Sequence, residues 1–380
     1  MRCSPRNSFA AAVRLAPILL AFAAAAQQPP PVEELLRHAI ELHQKGDIAA
    51  AIPEYRAYLK RVPGNAMARS NLGAALAGAG QYEEAIVEYN KALEAQPGNA
   101  SVRLNLSLAY YKAAKISEAA AELERITAGE PANRRAVLLL ADCDLRLGEN
   151  KKVIEILTPL ERQSPDDRAL IYMLGTALIR DQQADRGQVL IDRILRDGDS
   201  AEARLLMGAT KLSVQDYAGA LADFKRAVEL NPSLPDLYSY YGMALAATGD
   251  TPNAETAFRK ELETNPNDYT SNLQLGILLT QEDQHTEARE RFEHALAVRP
   301  GDASARYQLA ALDLQDGRTE IARTELEKLT HEIPQFVEAH VSLATAYYRE
   351  KRKQDGDKER AIVLRLNAEK QAAEPGAQAR

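Results

Sequence analysis

Residues 66–99 read AMARSNLGAALAGAGQYEEAIVEYNKALEAQPGN, and this 34-residue stretch decides the fold. Leu72, Gly73 and Leu76 fall on one face of a helix with 3.6 residues per turn. Ala85, Tyr89 and Ala92 do the same on a second helix. Gly80, between them, accepts the left-handed conformation that ends a helix. Pro97 stops the second helix, and Asn99 offers a side chain to cap the next one. The stretch is a helical hairpin that hands the chain on to another.

It does so many times. Pro63, Pro97, Pro131 and Pro165 are 34 residues apart, and Pro232, Pro266, Pro300 and Pro334 repeat the spacing. One period kept over most of the chain means one supersecondary unit copied in series. With the proline as position 32, repeats start at 32, 66, 100, 134, 168, 201, 235, 269 and 303, with an altered tenth at 337. Position 8 is small throughout, as in Gly73, Ser107, Ala141, Gly208, Gly242 and Ala310. Position 20 is nearly always small, as in Ala51, Ala85, Ala220 and Ala288, and position 24 is large, as in Tyr55, Tyr89, Leu157, Phe224, Phe258 and Phe292. Small residues let two helix axes approach, and the large one fills the space beside them. Position 15, the interhelix turn, is Gly46, Gly80, Gly148, Gly249 and Gly317 in five repeats.

The spacing resembles the tetratricopeptide repeat family over about residues 32–350: Leu-Gly at positions 7 and 8, Ala at 20, Tyr or Phe at 24, often Ala at 27 and Pro at 32. Leu72-Gly73, Ala85, Tyr89, Ala92 and Pro97 form the best copy, with Phe224, Ala227 and Pro232 and with Phe292, Ala295 and Pro300 close behind. The resemblance implies an all-α, right-handed α-solenoid of about nine to ten helix-turn-helix repeats, with first helices on the concave face and second helices on the convex one. The expected organisation is repeats one to five over 32–200, six to nine over 201–336, a degenerate repeat and capping helix over 337–373, and a disordered tail over 374–380. The fifth repeat lacks its proline and one residue, which predicts a break between two stacks. Pro53 and Pro159 fall inside second helices and are expected to kink them. Arg349 to Glu359 reads as a stretched, solvated turn, with the last helix over about 359–373.

Residues 1–26 read as a secretory signal peptide. Arg2, Arg6 and Arg14 precede or flank an apolar run, Leu15 to Ala26, that ends in Ala24-Ala25-Ala26. Twelve apolar residues are too few to span about 30 Å of hydrocarbon as a helix. Residues 27–31 form a Pro-rich linker. The expected product is exported, periplasmic or secreted, with no integral membrane span after cleavage. Cleavage would take the net charge from −7 to about −10. An acidic surface repels phosphate backbones, so nucleic acid is not an expected partner. Cys143 would be the lone cysteine; flanked by Asp142 and Asp144 in a helical pattern, it reads as a core thiol and not a reactive one.

Catalytic constellations are not legible. No two of the six histidines, His38, His43, His285, His294, His331 and His340, share the i, i+3 or i, i+4 spacing of a metal pair. Gly78-Ala79-Gly80 lacks the third glycine of a nucleotide loop and follows a helix. Acid pairs such as Glu83-Glu84 sit at helix starts, where they suit the helix dipole. No metal, no cofactor and no enzymatic activity are expected.

In the family, positions 2, 5, 6, 9, 12 and 13 of the first helices hold an extended peptide or a partner helix. Carried over residue by residue, the resemblance implies a groove of Asn71, Asn105, Tyr111, Lys112, Tyr172, Met173, Arg180, Tyr240, Met243, Gln274, Tyr307, Gln308, Tyr348 and Arg349. Tyr, Met, Asn and Arg suit a groove, offering area, adaptable packing and hydrogen bonds to a peptide backbone. The bland alternative is that several of them only pad the seams between first helices. The carboxylate-gripping pattern of chaperone-binding members maps to Ser70, Ala74, Asn105, Arg135 and Leu139, of which only Asn105 and, loosely, Arg135 fit. A cytosolic chaperone adaptor is therefore disfavoured. The expected function is a non-enzymatic scaffold of the cell envelope that binds a protein or peptide and aids assembly or export of surface structures. Two alternatives stand beside it: an accessory subunit of a glycan-processing or polysaccharide-export complex, and a self-associating structural module.

Overall fold

The computed structural model describes residues 31–196 and 198–373. Residues 1–30 and 374–380 lie outside this set, and with them the signal peptide, most of the linker and the tail. The described chain is a succession of helical hairpins with no strand among the described residues. The first five hairpins are α1 (Val32–Gln44) and α2 (Ile48–Arg61), α3 (Ala66–Gly78) and α4 (Tyr82–Ala95), α5 (Ala100–Lys112) and α6 (Ile116–Gly129), α7 (Arg134–Leu147) and α8 (Asn150–Gln163), and α9 (Arg168–Arg180) and α10 (Ala184–Leu195). The next five are α11 (Ala201–Ser213) and α12 (Tyr217–Leu230), α13 (Leu237–Ala247) and α14 (Thr251–Thr264), α15 (Tyr269–Gln281) and α16 (His285–Val298), α17 (Ala303–Gln315) and α18 (Thr319–Glu332), and α19 (Val337–Arg349) and α20 (Lys353–Ala373). Each helix packs on the next, which makes the fold an α-solenoid.

The periodic residues do what their spacing implies. All eight ruler prolines follow a second helix at the same distance, as Pro63 follows Arg61 and Pro334 follows Glu332. Asn65, Asn99, Asn133, Asp167, Ser200, Asp268 and Asp302 each accept a hydrogen bond from the third amide of the next first helix. Such a cap stabilises a helix by about 1 kcal/mol. The position-8 glycines are required by contact: a Cβ on Gly208, Gly242 or Gly276 would lie 2.4–2.6 Å from the ring of Phe224, Phe258 or Phe292. Position 15 has positive φ in every repeat, including Ala114, Gln182, Gln215, Asp283 and Lys351, where no glycine stands. Hairpin geometry imposes that conformation whatever the side chain.

One sequence expectation changes, at the last repeat. α20 begins at Lys353, so the tenth repeat turns as tightly as the others and the stretch from 349 to 359 is not a long turn. Gly356 there receives the ring of Tyr348, in the manner of the position-8 glycines. Arg352 lies over the Tyr347 ring and bonds Asp355, and so is tied to its neighbours. At the fifth repeat one apolar cluster runs from Val137 through Ile191 to Ala209, so packing is continuous across the shortened junction. Pro53 and Pro159 lie inside helices that continue on both sides of them.

A further regularity ties the stack together. Position 4 of a first helix and position 23 of the following second helix form an ion pair in several repeats: Arg69–Glu88, Arg103–Glu122, Arg204–Asp223 and Arg306–Glu325, with His340–Glu359 in the last. The position-4 side chain also reaches the carbonyl of the preceding ruler proline, as Arg69 to Pro63 (2.8 Å), Arg103 to Pro97 (2.7 Å), Asn272 to Pro266 (2.9 Å) and His340 to Pro334 (3.1 Å). These groups thus satisfy turn carbonyls that no helix can reach. Repeats four and five differ: Val137 and Ile156, and Ile171 and Leu190, stand at the two positions.

Candidate functional site

Positions 2, 5, 6, 9, 12 and 13 of the first helices are those the family pattern turns to the inside of the curve. Of the expected groove residues, Lys112 and Arg349 are exposed and the rest half-buried. They do not form one open row. Tyr111, Tyr172, Met173, Arg180 and Tyr240 converge on a central cluster, whereas Asn71 and Asn105 lie towards one end of the stack and Gln274, Tyr307, Gln308 and Tyr348 towards the other. Met243 packs against the apolar cluster of repeats seven to nine.

Arg180 organises the centre. Its guanidinium donates to Tyr240 Oη (2.8 Å), Asp236 Oδ2 (3.1 Å) and the Leu145 carbonyl (3.2 Å), joining repeats four, five and seven. Tyr240 in turn stacks on Phe224. Tyr111 Oη donates to Asp142 Oδ2 (2.5 Å), and Arg146 lies over the Tyr111 ring. Arg146 also reaches Asn265 Oδ1 (3.3 Å), 119 residues away. Arg299 Nε donates to the Arg146 carbonyl (2.7 Å), and its guanidinium sits 3.9 Å from the centre of the Tyr269 ring. Beside it, Val298 joins the apolar cluster of Ile116, Leu123 and Leu140. The end of the eighth repeat therefore docks on the fourth, and the solenoid curls back onto itself. The enclosed cavity, about 140 Å³, is lined by Asp142, Arg146, Arg180, Asp268, Tyr269 and Arg299 among others. That is well below the roughly 300 Å³ at which ligand pockets begin.

The electrostatics are balanced: Arg146, Arg180 and Arg299 face Asp142, Asp236 and Asp268. Burial, helped by the charge of Asp236, holds the Asp268 carboxyl above the ordinary range, and burial holds Arg299 below the ordinary arginine range. Glu261, 2% exposed, accepts from the amides of Asp236 (3.1 Å) and Tyr238 (3.2 Å), and burial pushes its carboxyl up to about 7. It caps α13, whose own N-cap residue, Asp236, is in the left-handed conformation and makes no side-chain cap. Asp142, Arg146, Asp236, Asp268, Tyr269 and Arg299 were not in the sequence-derived groove. Asp142, Arg146, Asp236 and Tyr269 do occupy or adjoin inner positions, and the mutual proximity of opposite charges on that face is a signal the family pattern does not use.

Several expected groove residues serve the seams. Asn71 is hydrogen-bonded to Tyr55. Tyr307 packs on Phe336 (5.1 Å between ring centres) and reaches Ser342 (3.4 Å). Tyr348 Oη donates to Asp357 (2.8 Å). Arg349 donates to the Leu314 carbonyl just as Arg180 does to that of Leu145, one repeat earlier in each case. Cys143 is fully buried, and burial and the flanking Asp142 and Asp144 push its thiol up to about 12. Among the described residues no group of three or more His, Cys, Asp or Glu is placed to hold a metal, and no helix is long and apolar enough to cross a membrane.

Comparison with known proteins agrees with this architecture. No curated protein matches the chain. Among solved structures, the APC/C hetero-tetramer Cut9-Hcn1 superposes with a TM-score of 0.55 at 12% identity, over 90% of this chain and 88% of the other. The structure titled MamA RS-1 ArsTM double mutant is 24% identical over 46% of this chain and 97% of its own, with a TM-score of 0.41. The first shares the fold, and the second carries no argument at that score. Two family models, both described as tetratricopeptide repeat, match residues 36–100 and 205–269, and residues 76–131, 118–170 and 279–347. With hairpins in register from Val32 to Ala373 and those matches over most of the stack, the chain belongs to the tetratricopeptide repeat family.

Proposed function

We propose that this protein is a non-enzymatic scaffold that holds an extended segment or a helix of a protein partner along its concave face. Repeats of this family typically bind proteins or peptides. The observation that carries the reading is a set of side-chain amides at one inner position, position 6, on both sides of the central cluster: Asn105 in repeat three, Gln274 and Gln308 in repeats eight and nine. A primary amide both donates and accepts, which matches the alternating groups of an extended backbone. The balanced centre leaves no free charge for a substrate, and no nucleophile stands beside a base there, which supports a role in binding and not in catalysis. The leader-like residues 1–26 support export, so the partner is an envelope or secreted protein.

Photo-crosslinking residues placed at Asn105 and Gln308, with exposed Lys225 on the convex face as control, test the reading in the native host. Discrete adducts to another protein from the two inner positions, absent at Lys225, are expected. Adducts only to a second copy of the chain would favour the self-associating module. Equal labelling at all three positions would remove the concave site.

A further inference from the structure

On the convex side, a furrow floored by a first helix runs between neighbouring second helices. Three such furrows are roomy, and two follow one rule. Between α2 and α4 the Arg69–Glu88 pair crosses the furrow over a floor that includes Leu76. Between α16 and α18 the Arg306–Glu325 pair does so, and the floor acid Asp313 is held by Arg289 (2.6 Å) and Arg318 (2.7 Å). The third, between α6 and α8, breaks the rule twice. Val137 and Ile156 replace the ion pair, and Asp144, at the floor position of Leu76 and Asp313, is held by no arginine among the described residues. Asp144 is 2% exposed, and its Oδ1 has no hydrogen-bond partner among the described residues. Leaving such a group unmatched costs about 1–3 kcal/mol. The walls are Ala128, Pro131, Leu140, Pro159 and Leu160, and the furrow holds about 560 Å³. Its charged lining is Glu124, Asp144 and Glu155 against Lys152, a net excess of acid.

We propose that this furrow of the fourth repeat is a docking site for a peptide segment in which a lysine is set among aliphatic residues. The aliphatic side chains lie against Val137, Ile156 and Leu160, where repeats two, three, six and nine hold a charged pair. The lysine ammonium reaches Asp144 Oδ1, supplying the donor that the fold withholds. Glu124 and Glu155 set the sign of the partner, since a neutral or acidic segment would leave the buried carboxylate unmatched. The site is on the opposite face from the concave trough and does not depend on it.

The test uses the full chain and a labelled Leu-Leu-Lys-Leu-Leu peptide, with a glutamine-for-lysine peptide as comparator, read by fluorescence anisotropy. The lysine peptide is expected to bind about tenfold or more tightly than the glutamine one. Asp144→Leu, which installs the residue tolerated at Leu76, is expected to erase that difference while leaving the circular dichroism unchanged. Val137→Arg with Ile156→Glu rebuilds the charged pair of repeat three and is expected to abolish binding of both peptides. Equal affinity for the two peptides, retention of lysine preference in Asp144→Leu, or no binding at millimolar peptide would each overturn the proposal. Binding of hexylamine as tight as that of the lysine peptide would overturn the assignment of the partner as a peptide.

Discussion

Repeats three and five put opposite chemistry in the same place. In repeat three Arg103 meets Glu122, and in repeat five Ile171 and Leu190 stand at the equivalent positions within one apolar cluster. Both hairpins fold alike and pack into the same stack. A mostly buried ion pair and an apolar pair of similar bulk are close to interchangeable in stability, because desolvation offsets most of the Coulomb gain. What the repeats share is steric: a small residue at position 8 under a large one at position 24. The furrow positions are free to vary, and Asp144 shows that one repeat has used that freedom for an arrangement stable neither as an ion pair nor as an apolar contact.

The steric element sets the scale against which the variable one is measured. Phe224→Ala empties the space above Gly208 and is expected to cost about 3–5 kcal/mol in urea unfolding. Breaking the charged pair from one side comes next. Glu122→Leu leaves the Arg103 guanidinium with the Pro97 carbonyl but without its anion, and is expected to cost about 2–3 kcal/mol. Adding Arg103→Ile to copy repeat five should restore stability to within about 1 kcal/mol of the parent. A double variant as unstable as the single one would mean that the two repeats are not equivalent.

Asp144→Leu sharpens the comparison through pH. Burial pushes the Asp144 carboxyl up from 3.8 to about 6, so between those values the folded chain keeps a proton that the unfolded chain has released. Stability conferred by that site therefore falls as pH rises from about 4 through about 6. The leucine variant escapes the loss. It is expected to be about 2 kcal/mol more stable than the parent at pH 7.5, with the advantage shrinking as pH falls from about 6 to about 4, as thermal unfolding across pH would show. The smallest effect is at the hairpin turn. Ala114 adopts the left-handed conformation that Gly148 adopts one repeat later, so Ala114→Gly should stabilise by about 1 kcal/mol or less. The reverse change, Gly148→Ala, should destabilise, with Arg299 also pressed by the new methyl.

Much of the fold was legible because it is local. Pro97, Gly80 and Tyr89 act within one hairpin, and their period reports the stack directly. The Arg69–Glu88 family of pairs was present in the sequence at a separation of 19, but it joins two helices, so the periodicity of a single helix face does not reveal it. The start of α20 was misread because Gly356 and its charged neighbours look like a turn, whereas the register of the preceding repeats and the Tyr348 ring make that glycine a helix contact. The concave cluster was half legible. Tyr111, Arg180 and Tyr240 follow from their positions, but the meeting of Arg146 with Arg299 depends on curvature summed over several repeats, and no pair of residues encodes it alone.

That meeting also sets an order of events. Apart from this closure, which Arg146–Asn265 and Val298 share, the ties in the stack described above join hairpins that are neighbours or near neighbours along the chain, so folding can spread by short steps. The hydrogen bond from Arg299 to the Arg146 carbonyl spans 153 residues and forms only after the intervening hairpins are in place. It rests on a few side chains and no backbone ladder. A contact of that kind can part while the twenty helices of the described residues stay wound.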